Sequence, residues 1–168
     1  NNIRTGALSG MVDYLKEQKY SWEIIVVDDG SKDKTADLAE KFPKNHKNVS
    51  VLREPHRGKG GTVIAGMLKA KGEIVVFDDM DQATPIDQLE KVLPFFGKGF
   101  DIVIGSRAGR EGAPLIRKTM ALGFSILRNI VLQLPYKDTQ CGFKAFTKDA
   151  SEKIFKRLQI FNNKQAQS

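Results

Sequence analysis

The stretch "IVVFDDMDQATP", residues 74–85, runs four apolar residues straight into Asp78, Asp79 and Asp81. Carboxylates this close repel one another, and none can be buried unpaired without a large cost. Asp79 and Asp81 form a D-x-D. In an extended segment, residues i and i+2 project to the same side. Such a pair suits a hard divalent cation, Mg²⁺ or Mn²⁺, whose remaining positions are filled by phosphate oxygens. Taken alone, a D-x-D reads first as a solvated turn. Asp78 reads as a local cap or a supporting partner.

Two further segments carry similar signals. In "VVDDGS", Asp28 and Asp29 close an apolar run, Gly30 permits a tight turn, and Ser31 follows. An ordinary strand-to-helix turn with Ser31 or Asp33 as cap explains it; so does a carboxylate that accepts N–H bonds from a nucleotide base or ribose. In "HRGKGGT", Gly58, Gly60 and Gly61 let the backbone approach a ligand, and Lys59 can meet a phosphate. The P-loop pattern is absent. Arg107 in "GSR" and Arg117 in "PLIRK" are cations suited to a diphosphate, or plain surface charges. His46 and His56 lack ligand spacing and read as structural or solvated. Met67, Met80 and Met120 read as packing residues, and Cys141 as a small buried or loop residue rather than a nucleophile.

These groups need a frame. Helical spacing of Ile3, Ala7, Leu8, Met11 and Leu15 predicts a first helix. "WEIIVV" reads as a strand, followed by a turn and a helix over about residues 34–41. "NVSVLRE" is a second strand, and "GKGGTVIAGMLKAKG" a glycine-rich turn opening a helix that ends at Gly72. "EIVVFDD" is a third strand, "PIDQLEKVLPFF" a helix opened by Pro85, and "FDIVIGS" a fourth strand. Alternating strands and helices with non-alternating apolar strands predict an α/β fold with a parallel sheet covered by helices. Ligands in such folds sit beyond the carboxyl ends of the strands. Three strands end in polar signatures, "VVDDGS", "VFDDMD" and "VIGSR", and all three are expected on one edge. Beyond Ser106, residues 113–135 read as an apolar, basic helix. "YKDTQCGFKAF" reads as a loop and "KDASEKIFKRL" as a last helix. The end, 162–168, is expected to be a disordered tail.

The chain has 168 residues, which implies a single domain, 1–168, able to bury a real core. Its net charge of +7 favours anionic partners or simple solubility. Aromatic–basic platforms for nucleic acid are missing. One cysteine excludes an internal disulfide and suits a reducing, cytoplasmic setting. No signal peptide or bilayer-spanning run is visible.

Taken together, "EIIVVDDGSKDKT", "RGKGGTVIAGMLKAKGEIVVFDDMDQATP", "IGSRA" and "DTQCGFKAF" resemble glycosyltransferase family 2. The similarity is to the dolichyl-phosphate β-glucosyltransferase and polyprenyl-phosphate glycosyltransferase branch, from Asn1 to about Ile160. It implies the GT-A fold, a Rossmann-like parallel-sheet core with flanking helices. It also implies inverting transfer of a hexose, glucose by family, from a UDP-sugar to a dolichyl or other polyprenyl phosphate. Residue by residue, Asp28, Asp29, Ser31, Gly58, Lys59 and Asp79 would bind the nucleotide sugar. Asp79 and Asp81 would hold Mg²⁺ or Mn²⁺. Arg107, Arg117, Asp138 and Gln140, with Thr139 and Gly142, would line the reacting groups. The lipid acceptor implies peripheral contact at the cytoplasmic membrane face, to which the helix at 113–135 could lend an apolar side and Arg117, Lys118 and Arg128. The alternative for that helix is a core position with snorkelling ends. An oligomer is compatible with the sequence.

The chain departs from the family pattern in lacking the first family strand and a late aromatic, acidic stretch, so it reads as truncated at both ends. Ala83 replaces a polar residue of some relatives. Two other functions compete: a non-catalytic sugar-nucleotide binder, and a receiver-like signalling domain using Asp28, Asp29 and Asp79. Receivers need a lysine ending a later strand, which is not evident here.

Overall fold

A computed structural model describes residues 6–33, 35–106 and 141–165. In chain order these form α1 (Ala7–Lys16), β1 (Ile24–Asp29), α2 (Thr35–Ala39), β2 (Val49–Glu54), α3 (Gly58–Lys69) and β3 (Ile74–Phe77). A 3₁₀ turn, Ile86–Gln88, leads into α4 (Leu89–Phe96), followed by β4 (Ile102–Ile104), β5 (Lys144–Thr147) and α5 (Lys148–Gln165).

β1 and β2 pair in parallel, Ile24 opposite Val49 through Asp29 opposite Glu54. The second sheet has the order β3-β5-β4. Here the expectation of a purely parallel sheet is corrected: β5 lies between β3 and β4 and is antiparallel to both. The end of the segment read as a loop, "KAF", with Thr147 after it, is this strand. β3 and β4 still run the same way, because each opposes β5. No strand among the described residues bridges the two sheets.

Side-chain alternation along β5 gives the second sheet two covered faces. Cys141, Phe143 and Ala145 pack with Leu15 of α1 and with Leu89 and Val92 of α4. Phe146 turns the other way, to Val75, Met67 of α3 and Phe155 of α5; its ring meets Phe155 edge-on, centroids 5.4 Å apart. Leu8 and Val12 of α1 cover β1 and β2 through Val26 and Val49. The helices thus lie on both sides of the strands, as the α/β pattern requires.

α3 lies closely over β1: a Cβ on Gly66 would stand 2.9 Å from Val27 Cγ2. The last helix runs further than expected, to Gln165, into the segment read as a tail. Its sequence after Lys148 contains no glycine or proline to stop it. On its first turns, Lys153 pairs with Asp149 and Lys156 with Glu152, at helical i,i+4 spacing. No helix among the described residues is long and apolar enough to cross a membrane.

Candidate active site

β1 ends on its two carboxylates. Asp28 is 8% exposed and its Oδ2 accepts the backbone N–H of Ser31 at 3.1 Å, which closes the turn. Gly30 adopts φ +70°, and a Cβ there would meet the backbone N of His56 at 2.9 Å. Only glycine lets these two loops press together at this point. Asp29 then ties them: its Oδ1 accepts Arg57 N–H at 2.8 Å, and its Oδ2 lies 3.0 Å from His56 Nδ1. The Arg57 N–H, with help from Thr62 and His56, holds the Asp29 carboxyl below its usual range. The β2–α3 loop is therefore fixed by β1, and α3 starts beside it.

α3 begins at Gly58, φ +72°, with no side-chain cap from Arg57. The first N–H groups of a helix carry partial positive charge, which favours an anion. Lys59 reaches from this turn to the end of β3, its Nζ 2.7 and 2.9 Å from the two oxygens of Asp79. Lys59 is 66% exposed, so the pair contributes at most about 1 kcal/mol and opens readily. The Lys59 ammonium also lies 5.6 Å from the Phe77 ring centroid.

The acidic segment departs from the expected extended geometry. β3 stops at Phe77, and Gln82 N–H bonds the Asp79 carbonyl at 3.0 Å to close a turn. Gln82 sits at φ +52°. Asp81 Oδ1 accepts the Ala83 N–H at 2.9 Å. Alternation along a strand therefore does not relate Asp79 to Asp81; the turn does. Asp78 is drawn inward, its Oδ2 accepting Gln82 Nε2 at 2.9 Å. Burial pushes its carboxyl up to about 7, against the opposing hydrogen bonds from Asp79 N–H and Gln82.

The approach to β5 completes the edge. A Cβ on Gly142 would stand 2.1 Å from Asp79 Oδ2, so glycine alone leaves room for this carboxylate. Gly105, beyond β4, presses on Cys141: a Cβ there would meet Sγ at 2.9 Å. Cys141 is buried and free, the packing residue expected. The ends of β1, β3 and β4 are thus linked through His56–Arg57, Lys59, Asp79 and the 141–143 segment.

Of the sequence-predicted residues, Asp28 and Asp29 end β1 with Ser31 in its turn, Gly58 and Lys59 open α3, Asp79 and Asp81 follow β3, and Gly142 precedes β5. Arg107, Arg117, Asp138, Thr139 and Gln140 lie outside the described residues, as does the stretch 113–135. His56, 81% exposed, was read as structural or solvated; the structure adds its contact with Asp29. Gln82 and Lys144 also belong to this edge without having been singled out. The pattern of Cys141, Phe143 and Ala145 was the available signal for Lys144, since period-2 burial marks a strand.

A cation can be tested against these donors. Asp79 and Asp81 supply hard oxygens, and the ammonium now on Asp79 can retreat to solvent. No group of three or more His, Cys, Asp or Glu gathers among the described residues. Among the described residues Asp79 and Asp81 thus form no ready-made metal cage, and an ion held on them would have to bring phosphate and water ligands, as Mg²⁺ does.

Residues 6–155 match the pattern of glycosyl transferase family 2. The chain belongs to this family. It is similar to a dolichyl-phosphate beta-glucosyltransferase of Trichomonas vaginalis, 40% identical over 168 residues, covering 90% of this chain and 50% of the relative. The Dictyostelium discoideum protein of that name is 37% identical over 159 residues, covering 86% and 48%. The Saccharomyces cerevisiae protein is 34% identical over 175 residues, covering 90% and 52%. The chain spans about half the length of these curated relatives. Fold class and family thus agree with the expectation from sequence, with β5 as the correction to the sheet.

Proposed function

We propose that this chain carries the sugar-nucleotide site of a glucosyltransferase that transfers glucose from UDP-glucose to dolichyl phosphate with inversion. The observation that supports it best is the meeting of Lys59, Asp79 and Gly142 beyond the end of β3, with the β1 turn tied through Asp29 to the loop that opens α3, in a family 2 chain similar to dolichyl-phosphate beta-glucosyltransferases. Asp28 and the β1 turn would hold the base or ribose. Lys59 and the N-terminus of α3 would face the diphosphate. Asp79 and Asp81 would hold Mg²⁺ or Mn²⁺, which when bound neutralises charge on the departing diphosphate.

In the transfer, the bond from the anomeric carbon to the diphosphate oxygen breaks and UDP leaves with the electron pair. An oxygen of the acceptor monophosphate forms the new bond from the opposite side. That oxygen is already ionised near neutral pH, so no general base is required. Arg107, Arg117, Asp138 and Gln140 are proposed around the reacting groups. A lipid acceptor would bring the protein to a membrane surface, proposed as the cytoplasmic face.

The test is calorimetric titration of UDP-glucose with and without Mn²⁺, beside a dolichyl phosphate transfer assay. Affinity for UDP-glucose that depends on Mn²⁺ and falls at least tenfold in Asp79→Asn/Asp81→Asn is expected. Equal affinity in the double variant refutes the assignment of the two carboxylates. Binding without transfer makes the chain a sugar-nucleotide binder instead.

A further inference from the structure

We infer that Lys144 is a phosphate-binding residue, forming with Lys59 a pair of cations that both contact the Phe77 ring. It rests on the proposal that phosphate groups occupy the edge beyond β3. Lys144 opens β5 and stands in register with Phe77, the last residue of β3, and with Ile104, the last of β4. It is therefore on the central strand, at the level where both neighbouring strands end.

Alternation decides which face it takes. Phe143 and Ala145 enter the cluster lined by α1 and α4. Lys144 lies between them in sequence and projects to the other face, toward α3. Its Nζ is 5.7 Å from the Phe77 ring centroid, and Lys59 Nζ is 5.6 Å from the same centroid. Two ammonium groups thus share one ring next to Asp79.

The charges are not alike in their partners. Lys59 has the Asp79 carboxylate. Lys144 is partly buried and donates to the Cys141 carbonyl at 2.5 Å. Among the described residues no carboxylate pairs with it. A partly buried cation held by a neutral oxygen and an aromatic face can take an anionic partner without first giving up an ion pair among the described residues. A phosphate group reaching both lysines would be such a partner, beside the start of α3, where the Arg57 side chain provides no cap. The donor's diphosphate and the acceptor's monophosphate offer the same chemistry.

Wild-type chain, Lys144→Met and Lys144→Arg are titrated calorimetrically with inorganic pyrophosphate, UDP and farnesyl phosphate, and melted without ligand. Lys144→Met is expected to weaken phosphate binding by about tenfold to a hundredfold, the size of one charge-assisted contact. Without ligand it should melt no lower than wild type, since the change removes a partly buried cation and keeps an apolar stem. Lys144→Arg should keep most of the affinity, and it remains informative if Lys144→Met does not fold. Loss confined to pyrophosphate and UDP assigns the donor's diphosphate; loss confined to farnesyl phosphate assigns the acceptor's phosphate; either supports the inference. Unchanged affinity of Lys144→Met for all three, or a wild-type chain that binds none, overturns it. Failure of the glucosyltransferase proposal shows differently: wild type binds pyrophosphate through Lys144 yet transfers no glucose.

Discussion

The contact between Gly142 and Asp79 makes a sharp test, because one methyl group should disable the site while leaving the fold standing. A Cβ at 142 would lie 2.1 Å from Asp79 Oδ2 and 2.8 Å from Cγ, but 3.4 Å from Asp79 Cβ. Ordinary contact begins near the last of these distances, so the Asp79 backbone can stay and its carboxylate must swing away by about 1 Å or more. Moving it off its rotamer costs about 0.5–1.5 kcal/mol. The exposed pair with Lys59 breaks, adding at most about 1 kcal/mol. The total of about 1–2 kcal/mol lowers the melting temperature of a chain this size by roughly 2–8 °C. Misplacing a ligand-binding carboxylate by that distance costs on the order of a hundredfold in binding or rate. Gly10→Ala is the control: it lies in α1 with nothing within 4 Å of its Cβ. It should gain about 0.5–1 kcal/mol from helix propensity and leave the site alone. Differential scanning fluorimetry and titration with UDP-glucose and Mn²⁺ read both effects. Gly142→Ala with wild-type melting and wild-type affinity refutes the geometry.

Two further substitutions probe parts of the same frame. Asp78, with its carboxyl raised to about 7, binds a proton in the folded chain over a range where the unfolded chain has released it. Its contribution is complete below about 3.8 and is lost as pH rises toward about 7. Stability should therefore fall across that window by up to about 1.4 kcal/mol per pH unit from this group alone. Asp78→Asn should flatten the fall in urea unfolding curves; an unchanged profile would show that burial does not control this carboxyl. Gly66→Ala places a methyl 2.9 Å from Val27 Cγ2, a stiff β-branched group. Overpacking should cost about 1–3 kcal/mol, partly offset by helix propensity. In a Val27→Ala background that cost should shrink by about 1 kcal/mol, measured by a double-mutant cycle; strict additivity would refute the contact.

Much of this frame was legible in the sequence, for local reasons. β1, β2 and β3 are β-branched runs bounded by polar turns, and each strand announces its end by carboxylates or glycine. Asp28 and Asp79 stood out because charged groups directly after apolar runs have few structural uses, and Lys59 because it sits among glycines that let a ligand approach the backbone. β5 did not stand out: its four residues, Lys144–Thr147, follow a cysteine and a glycine in a polar stretch. Only the burial of Cys141, Phe143 and Ala145 on alternate positions marked it. The turn at Asp79–Gln82 was hidden because it depends on Gln82 at positive φ, which no residue type there requires. His56 and Lys144 were missed for one shared reason. Each joins the site through a partner distant in sequence or through strand register, and spacing along the chain records neither.

The strand that was hardest to see is also the one that completes the edge. A sheet whose neighbouring strands all run the same way receives ligand groups only from strand ends and the loops that leave them. An antiparallel strand placed between two such strands starts where they finish. β5 does this: Lys144 pairs with the final residues of β3 and β4, so the segment that precedes it must cross the same edge. That topology brings Gly142 onto Asp79, Cys141 against Gly105, and the Lys144 ammonium to Phe77. The carboxylate of Asp79 is then confined from below by β3, from α3 by Lys59, and from β5 by a residue with no side chain. The reversal of one strand thus sets which way this carboxylate can point. The Gly142→Ala and Lys144→Met variants perturb two consequences of that reversal independently.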